Sequence, residues 1–317
     1  MRLAVVSTLY MSGPYIEEFH RRISQAAAKL TDDYQIIFVD DGSPDDSRQK
    51  AAALCKADPK VVLIELSRNF GHHKAMMTGL EYADGDLVLL IDSDLEEEPE
   101  LLLTFHELLE KNQMDVVYGV QRARKGGMFE RVTGNIFYSF INSVSPHPVP
   151  RNLVTARLMR RAYVQALVAH RDQALFLAGV WAATGFRQMA APVTKLSHSP
   201  TTYNLVKRVR NLVEAVTSFS TTPLSLIFYL GCLISLTAAV YGGYLVARRV
   251  LFGELMEGWA SLIISIWFLG GLTLFCLGVI GIYLSKVFVE TKRRPYTVIR
   301  EIYGATAGAL KEIQRRP

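Results

Sequence analysis

Residues Leu89–Glu100 read LLIDSDLEEEPE, a short apolar run that empties into six carboxylates. In a chain of formal net charge +5, so much negative charge at the end of a buried strand needs a reason. One reading is a solvated acidic turn, since Pro99 and Glu100 suit the first turn of a helix and its dipole. The other is a cation site. Asp92 and Asp94 flank Ser93, so on an extended backbone both project to one side, and hard divalent ions take carboxylate oxygens.

The surrounding sequence shows what kind of strand this is. Leu3–Thr8, Tyr34–Val39, Val61–Leu66 and Leu87–Ile91 are β-rich apolar runs, and helical spacing fills Tyr15–Leu30, Asp46–Lys56 and His73–Tyr82 between them. Such alternation predicts a doubly wound α/β sheet, whose ligands bind at the carboxyl ends of the strands. The polar motifs fall at those ends: DDGS (Asp40–Ser43) after the second strand, RNFG (Arg68–Gly71) after the third, Asp92-Ser93-Asp94 after the fourth. Singly, each is ordinary turn chemistry. Together at one edge, they outline a site. A further strand is expected over Asp115–Val120.

With 317 residues, 50% of them hydrophobic, the chain has material beyond such a domain. Pro223–Val246 and Trp259–Leu284 carry no charge, and each exceeds the roughly 20 residues that cross a bilayer. They predict a transmembrane hairpin, because the link Ala247–Gly258 is too short for a domain. Lys207, Arg208 and Arg210 before the hairpin, with Lys286, Lys292, Arg293 and Arg294 after it, outnumber Arg248 and Arg249 in the link. Domain and tail are therefore expected in the cytoplasm. Cations gathered beside the spans suit anionic headgroups rather than nucleic acid. Phe129–Val144 and Tyr203–Phe219 mix aromatic and basic residues as helices in the headgroup zone do. Cys55, Cys232 and Cys276 show neither disulfide nor zinc spacing, and the start MRLAVVSTLY reads as a strand rather than a signal peptide. The expected organisation is a catalytic domain over 1–200, an amphipathic juxtamembrane helix over 201–222, two spans over 223–284 and a cytoplasmic tail over 285–317.

The stretches VDDGSPDDS (39–47), SRNFGHHKAMMTGLEYADGD (67–86) and LLIDSDLEEEPE resemble the inverting GT-A glycosyltransferases of family 2. FYSFINSVS (137–145), RLMRRAYVQAL (157–167), SFSTTPL (218–224) and GIYLSKVFVETKRRP (281–295), with the two spans, resemble its polyprenyl-phosphate, dolichyl-phosphate mannosyltransferase-like branch. The resemblance implies a GT-A catalytic domain, a doubly wound Rossmann-like mixed sheet, in a multi-pass enzyme of the bacterial inner membrane. It would move a sugar from a nucleoside diphosphate to an undecaprenyl-type phosphate on the cytoplasmic face for cell-envelope glycans, as a homo-oligomer, tetrameric by analogy. Asp92, Asp94 and Glu96 would hold Mg2+ or Mn2+. Thr8, Tyr10, Asp40, Asp41, Ser43, Asn69, Asp92 and Ser93 would bind the donor. Asp94 would act in catalysis, with Arg124 and Arg131 of GVQRARKGGMFER (119–131) and Arg157 facing phosphate, whose oxygens suit the guanidinium fork.

Departures from the family pattern are specific. D-x-D-L-Q-D-P-P-E has glutamine, aspartate and proline where Glu96, Glu97 and Glu98 stand; Glu97, Glu98 and Glu100 are expected to cap the next helix. P-x-Y-N-E is reduced to Tyr10, and D-x-G-D-F-R-L-M has its second aspartate replaced by Thr155. A hydroxyl acceptor would miss that carboxylate, since a general base contributes about 10²- to 10⁴-fold. A phosphate monoester, with its second pKa of about 6, needs none. The residues also admit transfer to another membrane acceptor, such as a lipid-linked saccharide, or a catalytically silent nucleotide- or lipid-binding scaffold. His72-His73 reads as the start of a helix rather than a metal pair, because adjacent helical side chains diverge.

Overall fold

The computed structural model describes residues 1–121, 150, 152–173, 177–195, 217, 222–252, 258–292 and 294–304. In chain order the first elements are β1 (Leu3–Leu9), α1 (Ile16–Ala28), β2 (Tyr34–Asp40), α2 (Ser47–Ala57), β3 (Val61–Leu66), α3 (His72–Glu81), β4 (Leu87–Leu90) and α4 (Leu101–Lys111). They are followed by β5 (Val116–Gln121), β6 (Leu153–Arg160), α5 (Arg161–Val168), α6 (Leu177–Ala183) and β7 (Gln188–Val193). Two long helices, α7 (Thr222–Phe252) and α8 (Trp259–Thr291), precede a last strand, β8 (Ile299–Tyr303).

One sheet runs β7-β5-β6-β4-β1-β2-β3-β8. Its centre, β4-β1-β2-β3, is parallel, as the strand–helix alternation predicts. β6 lies antiparallel to β4 and β5, and β7 is parallel to β5, so the sheet is mixed. Every residue of β1 and β3 is buried because helices cover both faces. The pleat sends Leu3, Val5 and Leu9 to a layer with Phe19, Ile23, Leu102 and Phe105 of α1 and α4. Ala4 and Val6 point the other way, to Ala75, Met76 and Leu80 of α3 and to Tyr163, Leu167 and Trp181 beyond it. Two cores back to back hold the carboxyl ends of β1, β2 and β4 at one edge.

Within the predicted tail, α8 continues to Thr291 and Ile299–Tyr303 pairs antiparallel with β3. Ile302 is buried there, and Arg300 and Tyr303 reach Glu65. This strand escapes the sequence reading because only one of its side chains is buried and the rest are polar or half-covered. Thr222–Tyr244 and Ser265–Thr291 are long and apolar enough to cross a membrane, and none of either stretch is buried against the protein. Trp267, 79% exposed, illustrates the unpartnered surface. The predicted interfacial helix over 129–144 lies outside the described residues, as does that over 203–219 apart from Thr217.

Candidate active site

The polar motifs meet because each loop is tied to its neighbour by backbone contacts. Ser43 donates its backbone N–H to Asp40 and its hydroxyl to the Leu9 carbonyl, at 3.3 and 3.2 Å, fastening DDGS to the end of β1. Asp41 accepts from the Phe70 and Gly71 amides at 2.7 and 3.0 Å, which fastens RNFG to DDGS. Gly42 sits at φ +66, and a Cβ there would lie 2.6 Å from the Asn69 nitrogen, so only glycine lets these loops touch. Burial raises the pKa of Asp40 and Asp41, and the hydrogen bonds each accepts work against it. Asp41 lines the cavity described next, whereas Asp40 and Ser43 stand behind it as supports.

At the end of β4, the buried Ser93 hydroxyl donates to the Thr8 carbonyl at 2.9 Å, which turns Asp92 and Asp94 outward. Leu95 closes the turn at φ +57, a left-handed conformation that costs a non-glycine residue roughly 1–2 kcal/mol. Strain of this kind concentrates at sites. His72, at the start of α3, lies between two of these groups: its Nδ1 is 3.1 Å from Thr8 Oγ1, and its Nε2 is 3.3 Å from Asp92 Oδ1. Thr8, Leu9, Tyr10, Ser12, Asp41, Asn69, His72, Asp92, Ser93 and Asp94 line a cavity of about 310 Å³, with Tyr10 51% exposed at its mouth. A larger cavity, about 750 Å³, lies between α3 and Arg294–Ile299 and contains none of the conjunction of acids at the strand ends. The smaller one is the candidate site, because ligands of such sheets bind at their carboxyl edge.

Electrostatics divide the acids. Burial pushes Asp92 upward, but His72, the Thr155 hydroxyl and Lys195 outweigh it and its pKa falls, so it is ionised. Burial raises Asp94, and the charges of Asp92 and Glu96 raise it further against the Glu96 amide. Asp92 Oδ1 is buried without an aligned hydrogen bond. His72 Nε2 stands 3.3 Å from that oxygen, whereas Asp94 beside it is raised by burial and by its acidic neighbours, so the pair as a whole can take further positive charge. These two residues fit one hard divalent ion that keeps its remaining ligands from phosphate and water.

Four expectations need correction. Glu96 does not join Asp92 and Asp94; its carboxylate lies 2.9 Å from Lys195 Nζ, and among the described residues no group of three His, Cys, Asp or Glu side chains is placed to hold a metal. Glu97 does not cap α4. It is buried and accepts from the Thr155 and Ala156 amides at 3.0 and 2.7 Å, bracing β6 against the acidic turn, and burial then the Asp92 charge raise it to about 7. Glu100 binds Arg22 side by side, and α4 carries no side-chain cap. Arg157 does not face the cavity; it is 1% exposed, lies over the Trp181 ring, and burial lowers its pKa to about 9. Its strand position points it into the α5–α6 layer, where β6 supplies its polar residue to an apolar core. Arg124 and Arg131 lie outside the described residues.

The residues that sequence reasoning missed are His72, Thr155 as a donor to Asp92, and Lys195. His72 carried a usable signal, because it directly follows a motif at the carboxyl edge. Lys195 carried none; it meets Glu96 only through the order of the sheet.

A doubly wound sheet with an acidic pair where β4 ends defines a GT-A-type catalytic domain. The chain belongs to glycosyl transferase family 2, whose description matches residues 4–168, and is thereby a glycosyltransferase. A Mycobacterium tuberculosis (strain CDC 1551 / Oshkosh) protein, named as a candidate glycosyltransferase, is 52% identical over 96% of this chain and 89% of its own length. The prophage bactoprenol glucosyl transferase homolog of Escherichia coli (strain K12) is 30% identical over 95% of this chain and 99% of its own. Among solved structures, the mannosyltransferase PcManGT from Pyrobaculum calidifontis in complex with GDP-Man and Mn2+ is 18% identical, covering 92% of this chain and 87% of that one at a TM-score of 0.46.

Proposed function

We propose that this protein transfers a sugar, with inversion, from a nucleoside diphosphate to a polyprenyl phosphate at the cytoplasmic face of a bacterial inner membrane. The observation that carries the reading is the acidic cavity at the ends of β1 and β4, in a chain that matches a bactoprenol glucosyl transferase homolog along its whole length. Asp92 and Asp94 would hold Mg2+ or Mn2+ against the donor diphosphate, where a divalent ion supplies Lewis-acid stabilisation of the leaving group. Thr8, Tyr10, Asp41, Asn69 and Ser93 line this cavity and would face the donor, as would Ser12, which stands at the glutamate position of P-x-Y-N-E. Thr155 carries no carboxylate to act as a base, which agrees with an acceptor phosphate that is already ionised.

The remaining assignments support the same chemistry. Arg124 and Arg131 would receive the acceptor phosphate. The segments over 129–144 and 203–219 would bring the site down to the bilayer, and α7 and α8 would span it as a hairpin. Pairing of β8 with β3 supports that topology, because the chain after α8 returns to the sheet that precedes α7. Assembly into a tetramer belongs to the same reading.

Full-length protein in detergent, incubated with nucleotide sugars and undecaprenyl phosphate, should form glycosylated lipid in the presence of Mg2+ or Mn2+. Arg124→Ala and Arg131→Ala should lower lipid transfer at least about 10²-fold while sparing slow donor hydrolysis, because only the acceptor side is lost. Transfer to a lipid-linked saccharide alone, or nucleotide binding with no turnover, would replace the reading by one of its alternatives.

A further inference from the structure

Lys195 follows β7 by two residues. In the sheet order β7-β5-β6-β4, it reaches past β5 and β6 to the turn after β4. Its Nζ lies 2.9 Å from Glu96 Oε2, with the lysine side chain 30% and the glutamate 16% exposed. Burial works against its charge, but the Glu96 contact and the charges of Glu97 and Asp92 prevail and raise its pKa. The ammonium is therefore paired with Glu96, and the nearby charges of Glu97 and Asp92 favour it there.

Three described basic residues lie near these carboxylates, and they differ in what they can do next. Arg157 is sealed over Trp181 and cannot turn without opening the core. His72 is braced between Thr8 and Asp92 by both ring nitrogens. Lys195 has a four-carbon stem and a compact charge, so it can change partner by rotation alone. Glu96 holds it on the flank of the cavity that Asp94 lines, two residues away in the same turn.

Building on the donor-site reading above, we propose that Lys195 is a diphosphate-binding residue of this enzyme. It rests on Glu96 when no donor is bound and turns to the leaving diphosphate when donor and metal enter. Positive charge delivered to Asp92 and Asp94 weakens the hold of the acidic turn on the ammonium, and the diphosphate offers it a new anionic partner. In the transfer step, the bond between the anomeric carbon and the β-phosphate oxygen breaks and its electron pair stays on that oxygen. A bond from the acceptor oxygen to the anomeric carbon forms on the opposite face. The leaving diphosphate thus gains one negative charge, and Lys195 meets it there, a contact stronger in the transition state than before it.

The test compares Lys195→Met and Lys195→Arg with the wild type, all full-length in detergent. Mn2+ binding is read by electron paramagnetic resonance without nucleotide, and UDP, GDP and the matching monophosphates are titrated by calorimetry in saturating Mn2+. Lys195→Met should bind Mn2+ alone no more weakly than the wild type, because a competing cation has been removed. It should bind the preferred nucleoside diphosphate at least about tenfold more weakly, with the monophosphate nearly unchanged, while Lys195→Arg keeps most of the affinity. Unchanged diphosphate affinity in Lys195→Met overturns the proposal. So does a parallel loss of Mn2+, monophosphate and diphosphate binding, which would make Lys195 a brace for the turn. Wild-type protein that binds Mn2+ but neither diphosphate defeats the donor-site reading itself, and the role of Lys195 with it.

Discussion

Glu65 in β3 and Asp92 after β4 are both carboxylates withdrawn from water in one sheet, and they are compensated differently. Glu65 is met by Arg48 at 3.5 Å, by Arg300 at 3.3 Å and by the Tyr303 hydroxyl at 2.8 Å. Two cations and a donor surround one acid, and the result is a closed seam that fastens β8 to the sheet edge. Asp92 shares its surroundings with Asp94, Glu96 and Glu97, and His72 and Lys195 stand against all four. Negative charge is left over. Burial of a charge therefore does not by itself mark a functional site; burial without enough internal compensation does, because the structure then stabilises the charge only when something else arrives.

The largest effect should come from Asp94→Asn. Asp94 lines the cavity and, among the described residues, accepts only the Glu96 amide at 2.9 Å, so the change removes charge from the site while leaving the packing alone. Sugar transfer should fall by at least about 10³-fold, roughly 4 kcal/mol of barrier. The thermal midpoint should stay within a few degrees of the wild type. A variant that lost stability in proportion to activity would make this cluster a seam like that of Glu65, and the contrast would break.

The converse experiment is Glu65→Gln. Here activity per folded molecule and nucleotide affinity should be unchanged, and the cost should appear in urea unfolding, at about 1–3 kcal/mol for the loss of charge-assisted hydrogen bonds. Arg48 and Arg300 are 41% and 68% exposed, so water can take them up when the acid is gone. The penalty therefore stays below that of stranding an ion in a dry core. A change in donor affinity would show that the β3–β8 seam reaches the site, and the two clusters could no longer be treated as independent.

The same contrast explains what could be read from the sequence. β1 to β4 were legible because strands buried on both faces are continuous apolar runs, and Leu3–Thr8 and Leu87–Ile91 each differ from the observed strand by one residue. The acidic pair was legible because alternation at the end of such a run aims both carboxylates at the ligand edge. β8 was not, since an edge strand held by Glu65 needs no apolar pattern of its own. Glu97 was misread for a related reason: its partners are the backbone amides of Thr155 and Ala156, and amides have no sequence signature. Arg157 looked like a phosphate ligand because its residue type fits one, and only the burial of β6 against Trp181 shows otherwise.

The smallest effect, and the one that most sharpens the comparison, is expected at Thr155. Its hydroxyl helps keep Asp92 ionised, and its amide donates to Glu97. The chain thus has a donor where the family pattern has an acid, in a turn that already carries the extra carboxylates Glu96 and Glu97. Thr155→Asp would set one more negative charge beside Asp92 and Asp94, raising their pKa values and opposing the charge pattern that a metal and a diphosphate need. Lipid transfer should fall about tenfold, close to 1.4 kcal/mol, and excess Mn2+ should recover part of the loss. Thr155→Val, which removes the donor without adding charge, should lose less. These outcomes follow if the acceptor is a phosphate, which arrives ionised and gains nothing from a new base. A rise in turnover with Thr155→Asp would mean that a hydroxyl acceptor had been waiting for one, and the polyprenyl-phosphate assignment would fall.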